Sequence, residues 1–429
     1  VLLALVAAPA TLVVLPAGVA HAATLYVDDL DDDAGGTGSI QDPFRDLQDA
    51  IDRAADGDVL HIMPGTYRAA PVAFTERLCG NCEQHRTDVR ATAGFRVVGK
   101  ALHLSGSGPP QTTLVTNAGY GLYFEDSAGS VVTGLTITGG VRDTAGAATD
   151  AGVVARMSDV TLEGITIADN TDRAEDVVVG IGGVMGREGS ELVIRGCTIR
   201  NNGWDGVALY RGSVALIADN DISEGRGAGV GITWDAAATV LRNSITGYWK
   251  GIGSFGSSRV VARNNAVHDN LGWGIVATGT SFMEASNNVV VRNGNCGFAL
   301  WSDEATCVFT NNIVAENGWR EEWVCPQVGV WMNGVPDNAR ITYNDVWGNA
   351  SADYGDIAPL TGVDGNISSD PVFADSLNFH LRDASPCIDA GDPALTDPDG
   401  GPSDMGVFGG PQADVDLGGP RSAADRQQE

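Results

Sequence analysis

One short phrase returns along the middle of the chain and leaves few folds open to it. It reads DNDIS at 219–223, RNSIT at 242–246, NNAVH at 264–268, NNVVV at 287–291, NNIVA at 311–315 and YNDVW at 343–347. The apolar anchors Ile222, Ile245, Val267, Val290, Val314 and Val346 follow one another at 23, 22, 23, 24 and 32 residues. Ile137, Ile167 and Ile199 extend the series upstream. A period near 23 with occasional longer members is that of a solenoid whose coils carry insertions along one edge. Between anchors the chain alternates with period two, as in GVALY at 206–210, GIVAT at 274–278 and GFALW at 297–301, which spells short strands rather than helix. Asn220, Asn243, Asn265, Asn288, Asn312 and Asn344 each stand two residues before an anchor. Stacked coils set these amides one above another, where they satisfy turn backbone and each other. The expected fold is all-β, a single-stranded parallel β-helix.

The remaining bounds are coarser. A formal charge of −29 argues against unaided binding to nucleic acid or other polyanions. An anionic substrate would need local Arg or Lys, or a bridging cation. Residues 1–22 form an apolar run ending Ala20-His21-Ala22, which reads as the core and cleavage site of a signal peptide with its start clipped. No other stretch is long and apolar enough to span a bilayer, so the mature chain is expected to be a secreted or cell-surface protein without a membrane span. Seven cysteines suit an oxidising compartment. Cys79 and Cys82, followed by His85, read as a disulfide or loop staple rather than a zinc site; Cys296 and Cys325 are placed to pair, and Cys197 fits an interior turn slot.

In chain order, TLYVDD at 24–29 reads as a strand. Asp42-Pro43 then opens an amphipathic helix carrying Phe44, Leu47, Ile51 and Ala54, closed by Gly57. Residues 58–63 are a second strand, and the helix would cover the open end of the solenoid. The expected organisation is a cap and first coils over 23–118, the β-helix over 119–349, a C-terminal cap over 350–410 and a disordered tail over 411–429. Excursions at 68–95, 141–150, 171–182 and 318–328 are expected to shape a binding surface along one edge.

The words YVDD, GGTGSIQDPFRDLQDAIDRAADGDVLHIMPGTYR and FRVVGKALHLSGSGPPQTTL, with the Asn-anchored coils, resemble exported right-handed β-helix proteins of the pectate-lyase-like superfamily. The segment 368–410 resembles the end segment of many bacterial secreted or surface β-helix proteins. The resemblance implies a right-handed solenoid and export. It implies no single activity, because the superfamily spans lyases, hydrolases, epimerases and non-catalytic surface proteins.

Aligned on their Gly, the coils form outward columns. One runs Glu125, Arg156, Arg187, Tyr210, Thr233, Phe255, Thr278, Trp301 and Asn333. Arg156, Arg187 and Tyr210 on successive coils suit neutralisation of a uronate carboxylate and transfer of the proton beside it, a role the resemblance gives to Arg or Lys in β-helix lyases. Glu125 instead offers Arg156 a salt bridge. A second column holds Asp205, Ala228, Lys250, Trp273 and Cys296, flanked by Trp204 and Trp249 two coils apart. Trp204, Asp205, Trp249, Lys250, Trp273 and Trp301 are the candidates for contact with sugar, and His268 lies near that edge. Asp397, Asp399 and Asp404 on a Gly-rich turn suit Ca²⁺, though without the closing bidentate Glu of an EF-hand loop. The Asn-Thr-Asp and paired Asp signatures of polygalacturonases are missing, as is the Asp-Pro-His-Asp motif of mannuronan epimerases. The expected function is engagement of a polysaccharide by a monomer, with β-elimination of an acidic glycan as the chemistry. The competing expectation is a non-catalytic surface or adhesion protein.

Overall fold

The computed structural model describes residues 22–29, 35–79, 87–144, 149–172, 179–323, 325–333 and 336–413. The expected signal peptide, Cys82, His85 and most of the expected tail lie outside these residues. Each coil contributes one strand to each of three sheets, which run the length of the molecule. The first sheet begins with Thr24–Val27 and ends with Ala339–Thr342; the second runs from Gly65–Arg68 to Asp345–Trp347. The third runs from the hairpin Val72–Cys79 and Thr87–Val98 to Ala352–Gly355. Coil-to-coil pairing is parallel, and the strands of the hairpin pair antiparallel. Among the described residues no helix is long and apolar enough to cross a membrane.

The repeated anchors are the inward rungs of the second sheet. Ile199, Ile222, Ile245 and Val267 face one another in register and are fully buried. Val207, Val230, Ile252 and Ile275 do the same on the third sheet. The Gly that opens each third-sheet strand has a steric cause: a Cβ on Gly251 or Gly274 would stand 2.5 Å from the carbonyl oxygen of the corresponding Gly of the next coil.

The predicted Asn ladder is present. Asn243 Oδ1 accepts both the backbone N–H and the Nδ2 of Asn220, and Asn265, Asn288, Asn312, Asn344 and Asn366 repeat the pattern. A second ladder, through Asn270, Asn293, Asn317 and Asn349, lines the opposite turn. Its members stand three residues after each anchor, a spacing legible in the sequence but passed over there. Cys197 fills the expected interior slot, its N–H donated to Asn220 Oδ1 at 2.9 Å.

Two expectations need correction. The helix is Leu47–Arg53, capped by Asp46, whose carboxylate accepts the Asp49 N–H at 2.7 Å. Asp42 and Pro43 precede it as extended chain, because Phe44 bridges to Val27 and donates its N–H to Tyr26. The C-terminal segment is only partly an end cap. Tyr354, Ile357 and Leu360 join the last coil's core, but residues beyond 370 run back along the second sheet. There Phe379, Cys387, Met405 and Val407 pack on Val289, Val291 and Ile313. The outward amides of Asn264 and Asn287, turn residues at φ 54°, clasp this strap by its carbonyls.

Candidate functional site

The outer face of the third sheet carries the predicted columns in register. Glu125, Arg156 and Arg187 pair directly, and the strands continue that register through Tyr210, Thr233, Phe255, Thr278 and Trp301. Ala228, Lys250 and Trp273 form the second column. Between the two stand Tyr123, Val154, Met185, Ala208, Gly231, Gly253 and Val276. The lattice is uniform, and its cover is not.

Over the first coils lies the hairpin. Phe74 stacks on Tyr123 with ring centres 5.5 Å apart and meets Tyr120 edge-on at 5.7 Å. Two residues along, Glu76 reaches down to the expected arginines. It meets Arg187 Nη2 at 2.7 Å and Arg156 Nε at 3.2 Å, and it accepts the Tyr120 hydroxyl at 2.6 Å. Arg156 also holds Glu125 at 2.5 Å, as weighed from sequence. Side chains of Arg187 and Glu76 are 0% and 1% exposed. The two arginines thus already hold two carboxylates of the chain itself, and Arg187 is sealed from solvent. Glu76 escaped the sequence reading because it sits in an excursion that breaks the repeat. Only the alternation of FTERL hinted at a strand that folds back.

One coil further on, the cover ends. Tyr210 keeps part of its ring exposed and packs on Trp234, centres 4.9 Å apart. The outward positions here are small: Ala208, Ala228, Gly231 and Gly253. The Phe255 ring folds over Gly253, whereas no ring covers Gly231: it is buried, and a Cβ there would meet Ala228 Cβ at 3.3 Å and the Asp205 carboxylate at 3.8 Å. The small-residue position above Gly231, floored by buried Ala208 and Ala228, is the pit of this face. Asp205 borders it, with Oδ1 accepting the Ala228 N–H at 2.6 Å. Gly227 is required beside it, because a Cβ at that position would collide with Oδ1.

The pit holds three titratable groups in one field. Burial pushes the Asp205 carboxyl up to about 6, with the Ala228 N–H and the charge of Lys250 pulling the other way. Lys250 lies with its Nζ 5.5 Å from the Trp273 ring centre and 5.7 Å from that of Phe255. Burial lowers its pKa, against the pull of Asp205. Burial and then the Asp205 charge hold the Tyr210 phenol well above its usual range, so it keeps its proton. A carboxyl raised and an amine lowered toward neutrality is the arrangement that acid–base work requires.

The predicted aromatic residues divide. Trp204 and Trp249 lie two coils apart with Gly227 between them, both half-buried. Trp249 backs onto Gly272, carries the Arg320 guanidinium 4.8 Å from its ring centre and meets Trp323 edge-on at 4.6 Å. Trp273, expected to face sugar, is 7% exposed. It packs with Val276, Val328 and Trp331 around the Cys296–Cys325 disulfide, because the stapled loop 318–328 folds over its coil. Trp301 is half-buried and edge-on to both Trp273 and Trp331. His268 lies on the second sheet, beneath Phe379, not at this edge.

Asp397, Asp399 and Asp404 spend carboxylate oxygens on backbone N–H groups: Asp397 on Asp404 and Gly410, Asp399 on Gly401, and Asp404 on Asp389. Among the described residues no group of three or more His, Cys, Asp or Glu is arranged to hold a metal ion.

Residues 179–346 match the family model described as "Right handed beta helix region". No curated protein matches the chain in sequence. Among solved structures, a pectate lyase, Pel9A, is similar at 17% identity over 91% of this chain and 97% of its own, with a TM-score of 0.46. The A-module of the Azotobacter vinelandii mannuronan C-5 epimerase AlgE6 is similar at 15% identity over 76% and 94%, with a TM-score of 0.47. A GH136 lacto-N-biosidase from Eubacterium ramulus is similar at 13% identity over 78% and 65%, with a TM-score of 0.43. These are named for three different activities, and at such identities the likeness carries none of them to this chain. By its three parallel sheets and the family model over its central coils, the chain is a right-handed parallel β-helix protein.

Proposed function

We propose that the chain engages an extended acidic polysaccharide along the open part of the third sheet and cleaves it by β-elimination at the pit over Gly231. The observation that carries this reading is that Lys250 and Tyr210 both lie in the field of Asp205 beside Gly231, edged by the rings of Trp234, Phe255 and Trp273. Lys250, whose neutral amine burial favours, takes the proton on the carbon next to the uronate carboxylate and becomes an ammonium. The electron pair forms the ring double bond as the glycosidic C–O bond breaks, and the Tyr210 phenol protonates the departing oxygen. Asp205 is ionised above about pH 6. A Ca²⁺ bound with the substrate would supply the neutralisation that the Glu76-bound arginines do not offer, with Asp205 the carboxylate of the chain placed to help hold it. Trp234 and Trp204 supply apolar faces for neighbouring sugar rings.

The Cys296–Cys325 disulfide supports work outside the cytoplasm. A surface protein that only holds glycan would use the same rings. An amine and a phenol set beside one carboxylate, and not aromatic rings alone, favour elimination over that alternative. The test is ultraviolet absorbance during incubation with pectate, alginate and glycosaminoglycans, each with and without Ca²⁺. Rising absorbance from an unsaturated sugar is the expected outcome. Binding with no rise on any polymer would retire elimination in favour of adhesion.

A further inference from the structure

We propose that residues 318–323 form a second sugar subsite, one for an uncharged pyranose, with Trp323 as its stacking platform; this rests on the reading of the face as a glycan path. Trp323 is 67% exposed, while Trp273 and Trp331 nearby are packed away. An exposed ring on a slack loop means little, but this loop is held at several points. Cys325 is bonded to Cys296, and Gln327 Nε2 donates to the Gly318 and Arg320 carbonyls at 2.8 and 2.6 Å. Asn295 Nδ2 reaches the Glu321 carbonyl at 3.2 Å, and the Arg320 N–H donates to Gly294 at 2.8 Å. A ring displayed on so fixed a loop loses little further freedom when a ligand lies on it.

Orientation and charge then name the ligand. Trp249 is enclosed between Gly272 and the Arg320 guanidinium, so it buttresses Trp323, which stands at 79° to it and keeps most of its surface in solvent. Because Trp249 adjoins Lys250, the exposed ring continues the path that leaves the pit. Glu321 and Glu322 precede it, both exposed, and Arg320 of the same loop is engaged on Trp249. Two carboxylates beside one committed guanidinium repel a uronate but accept hydrogen bonds from the hydroxyls of a neutral sugar. The pit takes the charged unit and the loop takes a neutral one, so the preferred polymer carries both.

The experiment is calorimetric titration of the full chain with neutral galacto-, xylo- and manno-oligosaccharides and, separately, with uronate oligomers. Trp323→Ala should weaken binding of a neutral oligosaccharide about tenfold, with Trp323→Phe keeping most of it. Uronate binding should change less than about twofold in Trp323→Ala, and Lys250→Ala should show the converse pattern. Neutral binding untouched in Trp323→Ala, or no neutral oligosaccharide bound by the wild-type chain, would overturn the proposal. Neutral sugars bound through Trp323 with no uronate bound at all would uphold this subsite while removing the proposed elimination.

Discussion

The roofed coils and the pit lie on one face of one sheet, in the same columns, and they treat charge in opposite ways. Under the hairpin, Arg156 and Arg187 are closed onto Glu76 and Glu125 at 2.5 to 3.2 Å, and a tyrosine hydroxyl completes the set. In the pit, Asp205 and Lys250 sense one another without closing an ion pair, and burial shifts both toward neutrality. A closed cluster fixes the hairpin to the coils but has nothing left for a ligand. An acid and an amine held apart beside a glycine are costly to the fold and ready to exchange protons. On this face, function is to be sought where charge compensation stops.

Four substitutions break or sharpen that contrast, in falling order of their effect on stability. Glu76→Ala leaves two guanidinium groups under the hairpin with one carboxylate between them, and chemical unfolding should show a loss of about 3–5 kcal/mol. A loss below about 1 kcal/mol would mean that the cluster is hydrated and the roof loose. Asn288→Ala serves as a reference outside both regions. It strips partners from the Asn265 N–H and the Ala262 carbonyl, and at about 1–3 kcal/mol for each buried group left unpaired it should cost about 3 kcal/mol.

Asp205→Asn should act in the other direction. The folded carboxyl titrates near 6, above its unfolded value of 3.8, so the native state holds the proton more tightly. Its contribution is therefore fully present below about pH 4 and is lost as pH rises to 6. The amide keeps the bond from the Ala228 N–H and avoids the buried charge. It should raise stability at pH 7 by about 1–2 kcal/mol and flatten the stability profile between pH 4 and 6, while abolishing turnover. A wild-type stability that rises across that window through Asp205 would contradict its burial as the dominant influence. Gly231→Ala has the smallest effect on the fold, about 1 kcal/mol, since Ala228 need give only a few tenths of an ångström where the new Cβ arrives at 3.3 Å. By narrowing the pit it should lower polymer cleavage, and unchanged turnover would place the reaction elsewhere.

Much of this was legible before any coordinates. The period fixed on Ile222 through Val346 yields the coils, the Asn ladder and the outward columns, because a parallel solenoid transmits the register of one coil to the next. What the period cannot carry is what breaks it. The hairpin that brings Glu76 onto Arg187 and the loop that buries Trp273 are both excursions, free of the repeat, and their contacts depend on how they fold back. The strap beyond residue 370 escaped for the same reason. Asp205, Lys250 and Tyr210 were visible as outward residues, but their meeting over Gly231 depends on side chains crossing between columns, which alternation alone does not describe.

The most direct test of the account compares ultraviolet product formation on a polyuronate by two variants, Lys250→Ala and Arg156→Ala, each checked for a cooperative unfolding transition. The account predicts a loss of about a thousandfold or more in Lys250→Ala, a base removed from the reacting centre, and a change below about threefold in Arg156→Ala. Turnover kept in Lys250→Ala and lost in a folded Arg156→Ala would contradict it, and would return the chemistry to the arginines beneath the hairpin.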